Sequence, residues 1–192
     1  MPDFNEIENR GNPHKISKTR HKLAKNCMIK ILFICHGNIC RSPMAEFVFI
    51  DLAGKAGLGH KYAAASAATS REELGNPVYP PVRRLLGNLG ISTAGKTARQ
   101  MTKADYAEYD YLIGMDDWNM RNIMRIIGSD PEHKVYQLLD FTDEPGEIPD
   151  PWYTGEFNSA YEAVLRGCRG LLNYLESGAG QGTCQPRPPE LN

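Results

Sequence analysis

The chain lacks any apolar run approaching the roughly 18–20 residues of a membrane-spanning helix. Its first residues carry no apolar h-region, so no secretory signal is expected there. The net charge is only −1, which excludes a global field that would gather nucleic acid or a lipid surface. No C-x-x-C pair occurs. Cys27, Cys35, Cys40, Cys168 and Cys184 are odd in number and irregular in spacing, so neither a zinc site nor a disulfide framework is expected, and a cytoplasmic setting with reduced thiols fits best. The Gly-Lys-Ser/Thr triplet of a mononucleotide-binding loop is also missing. What is present, 41% apolar and 23% charged residues over 192 positions, is the composition of one soluble globular domain.

Residues 1–27 are polar, lack apolar periodicity and carry Arg10, Lys15, Lys18, Arg20, Lys22 and Lys25 against Asp3, Glu6 and Glu8; they read as a disordered basic arm. Residues 177–192 are rich in glycine and proline and read as a flexible tail. Between them, 28–176 alternates strand and helix periods. Strands are expected over Ile29–Cys35, Tyr62–Ala68, Asp110–Met115 and Val135–Leu139. Helices are expected over Pro43–Lys55, Pro80–Leu89, Asp117–Ile127 and Asn158–Glu176, with a helical turn over Thr102–Glu108 opened by a threonine cap. This alternation implies an α/β domain with a parallel sheet covered on both faces. Ligands in such sheets bind beyond the carboxyl ends of the strands.

Cys35 stands at that end of the first strand, within ILFICHGNICRSPM. Gly37 and Asn38 tolerate positive φ, so the loop can curl its N–H groups inward. The following helix adds its positive end, and Arg41 a planar two-pronged donor. Such a ring binds a tetrahedral dianion of phosphate size. The same field favours a thiolate at Cys35, whose pKa is expected to be depressed. A thiolate within a phosphate cradle is built for displacement at phosphorus through a phospho-cysteine intermediate. Ser42 can hydrogen-bond the sulfur and ease its departure. The leaving oxygen needs a general acid from elsewhere in the chain. Asp150, stiffened by Pro151 in IPDPWYTGEF, is the candidate; Asp140, Asp143, Glu144 and Glu147 compete with it. Trp152 and Tyr153 supply flat walls for an aromatic ring, with Leu74 a further candidate.

CHGNICRSPMAE resembles the signature of the low-molecular-weight protein tyrosine phosphatases, and DPWY resembles that family's acid loop. The likeness runs from about residue 28 to 176 through SAATS and ARQMTKADYAEYDYLIGMDDWNMRNI. It implies a flavodoxin-like fold with a four-stranded parallel sheet in the order 2-1-3-4 and helices on both faces. It implies Cys35 as nucleophile, Arg41 as phosphate clamp, and Asp150 as acid and then base toward water. The loop from His36 through Gly37, Asn38, Ile39 and Cys40 would bind the phosphate, and Asn38 would be held in a strained conformation by Ser42 and Ser66. Cys40 would capture oxidised Cys35 in a reversible disulfide; otherwise it packs against the sheet. Glu46 would take a supporting role. Phosphotyrosine-containing proteins are the implied partners, with no cofactor, metal, nucleic acid or membrane insertion.

Several positions depart from the pattern. Ala65 stands for a common aspartate, Tyr79 for another, and Gly95 for a histidine, which leaves the Asn38 support either reduced or rebuilt. Glu72 takes the place of an aromatic wall, which alters peptide preference. Relatives that hydrolyse phosphoarginine carry threonine before the second loop cysteine; here Ile39, being bulkier, favours a phenyl ester. Relatives that reduce arsenate need a further cysteine pair, which Cys168 and Cys184 do not form by spacing.

Overall fold

A computed structural model describes residues 28–178. The expected arm over 1–27 and the tail beyond 178 lie outside the described residues. The strands are β1 (Ile29–Cys35), β2 (Tyr62–Ala68), β3 (Tyr111–Gly114) and β4 (Val135–Gln137). They form one parallel sheet in the order β2-β1-β3-β4, as the resemblance implied. The helices are α1 (Arg41–Lys55), α2 (Pro80–Asn88), α3 (Ala104–Glu108), α4 (Asp117–Ile127), α5 (Pro151–Thr154) and α6 (Phe157–Glu176).

β1 is an apolar run because both its faces are covered. Ile31, Phe33 and Cys35 point into a core shared with Val48 and Phe49 of α1 and with Val164, Cys168 and Leu171 of α6. Leu32 and Ile34 point the other way, against Met101 and against Ile123 and Ile127 of α4. The two-residue period of a strand therefore delivers Cys35 to the α1 side. Ala65 also faces the α4 side, away from the loop, so its departure leaves the cradle untouched.

Several boundaries differ from expectation: β3 is one residue shorter at each end than Asp110–Met115, α2 ends at Asn88 and α6 begins at Phe157. α1 begins at Arg41 rather than Pro43, with Pro43 still in the first turn, where its missing N–H costs no helical bond. β4 stops at Gln137, because Leu138–Phe141 tightens into a 3₁₀ turn closed by a reciprocal Gln137–Asp140 capping box. Thr102 does not cap α3. Asp105 instead reaches back to accept from the Thr102 N–H at 2.6 Å. No helix among the described residues is long and apolar enough to cross a membrane.

Candidate active site

The loop between β1 and α1 turns its oxygens outward. The carbonyls of Cys35, His36 and Ile39 accept from the N–H groups of Thr69, Ser70 and Tyr79 at 2.9–3.0 Å, and that of Cys40 from Met44 at 3.1 Å. With the oxygens so engaged, the loop presents its N–H edge to the opposite side, the concavity that suits an anion. Asn38 makes this possible by adopting φ 60°, a left-handed conformation rare outside glycine.

Cys35 lies at the floor of this concavity, 3% exposed. Its sulfur is 3.0 Å from the Ser42 hydroxyl and accepts from the Asn38 N–H at 3.3 Å. Asn38, Ser42 and Ser66 are all buried. The Asn38 side-chain amide donates to Ser42 at 2.9 Å and to Ser66 at 2.7 Å, and its oxygen accepts from the Arg99 N–H at 3.1 Å. Ser66 in turn donates to Glu46 at 2.5 Å. Lys96 closes the network, 2.7 Å from Glu46 and 3.2 Å from the Ser66 carbonyl. The support anticipated as reduced or rebuilt is thus rebuilt. Gly95, with φ 80°, only turns the chain, and the side chain that reaches the network is Lys96.

Arg41 is buried, and its guanidinium is held on several sides. One nitrogen donates to Asp116 at 2.5 Å and to the Ile148 carbonyl at 2.9 Å, the other to Asp150 at 2.6 Å. Nε is buried without a partner, which leaves a donor free for an oxyanion. Burial works against its charge, but Cys35, Asp150 and Asp116 outweigh it and raise the Arg41 pKa above the usual value. Asp116 both caps α4, accepting from the Asn119 N–H at 2.6 Å, and orients Arg41. The acid-rich loop is pinned where Ile148 N–H donates to the Met115 carbonyl beyond β3, at 2.8 Å. That anchor delivers Asp150, rather than Asp140 or Asp143, to the cradle. Asp150 also caps α5 through the Trp152 N–H at 3.1 Å.

The two loop cysteines differ. Burial, then the proximity of Cys35 and Asp150, pushes the Cys40 thiol up to about 12, so it remains protonated at neutral pH. The cavity is lined by Cys35, His36, Gly37, Ile39, Cys40 and Arg41 at its floor. Glu72, Glu73, Asp150, Trp152 and Tyr153 form its rim. Leu74, expected as a wall, is not among the lining residues; Glu73 takes that place, its stem packed over Gly37. Glu72 sits at the mouth, 3.1 Å from His36. Tyr79 backs Trp152, ring centroids 4.9 Å apart, and so braces the aromatic wall.

Sequence reasoning missed Asp116, Glu73, Lys96 and Arg99. Asp116 carried a usable signal: a paired acid at the carboxyl end of a strand, where α/β sheets build sites. Lys96 carried none.

Comparison with known proteins agrees with this geometry. The family model described as "Low molecular weight phosphotyrosine protein phosphatase" matches residues 30–179. The chain is 40% identical over 151 residues to the low molecular weight protein-tyrosine-phosphatase YfkJ of Bacillus subtilis, covering 78% of this chain and 97% of that one. The crystal structure of YfkJ superposes with a TM-score of 0.76 at 39% identity, over 78% of this chain and 96% of that one. That of a Drosophila arginine phosphatase superposes with a TM-score of 0.71 at 28% identity, over 77% and 98%. A family match over residues 30–179, with a relative 40% identical over 97% of its own length and a crystal structure of the same fold, shows that the chain belongs to the low molecular weight phosphotyrosine protein phosphatase family.

Proposed function

We propose that the chain hydrolyses phosphotyrosine in proteins with Cys35 as nucleophile, Arg41 as phosphate clamp and Asp150 as acid and base. The observation that carries this is the Cys35 sulfur, held by Ser42 and the Asn38 N–H at the floor of a cavity that also presents Arg41 and Asp150. The incoming dianion takes the N–H groups of the loop and the free Nε of Arg41. It displaces the Asp150 carboxylate from Arg41 and sets a second negative group beside it, which favours uptake of a proton. Cys35 then attacks phosphorus in line, and Asp150 gives its proton to the departing phenolate oxygen. In the second half, Asp150 takes a proton from water as that water attacks the phospho-cysteine. Ser42 donates to the sulfur as it leaves.

The walls Ile39, Trp152 and Tyr153 fit a phenyl ring. Phosphoarginine is the second reading, favoured by the acidic rim of Glu72 and Glu73 and by the likeness to the Drosophila arginine phosphatase. A reducing, cytoplasmic compartment fits a nucleophile that must stay a thiol. On oxidation to a sulfenic acid, Cys35 would condense with the Cys40 thiol, giving a disulfide and water, so that Cys40 protects the nucleophile from further oxidation.

The test is hydrolysis of p-nitrophenyl phosphate by the purified protein against Cys35→Ser. Activity lost in the variant is expected; equal rates from both proteins overturn the reading. Turnover of a phosphotyrosine peptide against a phosphoarginine peptide then decides the substrate class.

A further inference from the structure

The hydrogen-bond network behind the loop has one consistent direction from Arg99 through Asn38 to Ser66 and Glu46, and its far end is charged. A backbone N–H can only donate, so Arg99 N–H fixes the Asn38 amide oxygen on its own side. The Asn38 nitrogen must then face the serines, and its two hydrogens are spent on Ser42 and Ser66. Both serine oxygens are therefore acceptors at that contact. Ser66 has one proton left, and Glu46 receives it. Paired with Lys96, Glu46 is a carboxylate and accepts only. Ser42 also has one proton left. It has two acceptors in reach, the Cys35 sulfur at 3.0 Å and the Ala67 carbonyl at 3.4 Å. The shorter contact goes to sulfur. With Cys35 as the attacking thiolate of the proposed reaction, the sulfur can only accept, and the Ser42 hydroxyl donates to it.

We infer that Lys96 is a positioning residue for the nucleophile, acting through Glu46, Ser66, Asn38 and Ser42 to hold the Ser42 hydroxyl proton on the Cys35 sulfur. This rests on the reading of Cys35 as the nucleophile. The chain begins at an ion pair that is 14% and 11% exposed, so little solvent screens it. Without Lys96, Glu46 has two courses. It stays charged and adds an unpaired negative group beneath the loop, or it takes a proton and ceases to be an obligatory acceptor for Ser66. The first course sets a like charge against the thiolate, and the second weakens the pull on Asn38, whose φ of 60° needs support from its surroundings. Both make the thiolate less favourable.

The readout is the rate of Cys35 alkylation by iodoacetamide at about pH 6 relative to about pH 9, with Cys35→Ser as the blank. A change in access moves both rates; a change in thiolate content moves their ratio. The charged and titratable groups that share the cavity with the sulfur are Arg41, Cys40, Asp150, His36, Glu72 and Glu73, with Asp116 behind Arg41, and all of them stay intact in the Lys96 variants. Cys40, protonated at neutral pH, contributes little signal.

Lys96→Met is expected to lower the ratio about three- to tenfold and to reduce kcat with it, while Lys96→Arg keeps both near wild type. Glu46→Gln combined with Lys96→Met leaves a neutral acceptor for Ser66 and no unpaired charge, and is expected to recover most of the loss. An unchanged ratio in Lys96→Met overturns the inference, as does a double variant no better than Lys96→Met. If circular dichroism shows Lys96→Met unfolded, Lys96→Gln against Lys96→Arg decides the same question. A wild-type protein without Cys35-dependent hydrolysis overturns the underlying reading instead, whatever the alkylation ratios show.

Discussion

Asp150 is the residue whose role depends most on its neighbours. It rests 2.6 Å from Arg41, and its other oxygen caps α5. Asp150→Ala should lower kcat about 10²–10⁴-fold for an ester with a poor leaving group. The loss should shrink for an activated aryl phosphate that departs without a proton. If Asp143→Ala causes the larger loss, the pinning of the loop by Ile148 has been misread. Asp116 gives a second test. Asp116→Asn keeps a polar cap for α4 but releases one side of Arg41, and a misaimed clamp should cost about 10–100-fold in kcat/KM. Cys35, Arg41 and Ser42 were legible in the sequence because strand, loop and helix are contiguous there. Asp116 and Lys96 belong to the site only after folding. Seen alone, Asp116 reads as a helix cap, which it also is.

At the scale of elements, the α6 face is shaped by close approach. A Cβ on Gly170 would stand 2.1 Å from the Phe141 carbonyl oxygen, and one on Gly167 would stand 2.6 Å from the Leu138 side chain. The 3₁₀ turn over Leu138–Phe141 therefore lies directly on α6, and no side chain fits between them. Gly170→Ala should destabilise the fold by about 1–3 kcal/mol, seen as a Tm lower by roughly 3–10 °C. Wild-type Tm in that variant would mean that turn and helix separate without cost. This contact also shows why β4 was read too long. Val135–Leu139 has the apolar run of a strand, yet Leu138 and Leu139 are buried in the turn. Periodicity cannot distinguish an apolar strand end from an apolar turn. The four residues of α5 were equally invisible, being shorter than any helical repeat.

At the scale of the whole molecule, the alternating periods imply a parallel sheet and the resemblance implies its order; β1 and β3 are the two interior strands, each with apolar residues buried on both faces. The last turn of α6 is tied to the start of β2 by polar contacts. Glu176, the last residue of α6, accepts from Lys61 at 2.8 Å and from the Tyr62 hydroxyl at the start of β2. Hydrogen bonds from Lys61 and Tyr62, with Lys61 and His60 charges adding to them, lower its pKa below the usual carboxylate value. A carboxyl whose folded value lies below its unfolded one stabilises the fold fully above the unfolded value. That contribution is lost as the pH falls through the folded value. The pair is partly exposed, so the effect is small. Glu176→Gln should lower Tm by about 1–3 °C near neutral pH. The difference from wild type should narrow as the pH is taken down through the folded-state value of Glu176, which lies below the usual carboxylate range. A gap that stays constant from neutral to acid would show that Glu176 ties α6 to β2 by shape alone and not by charge.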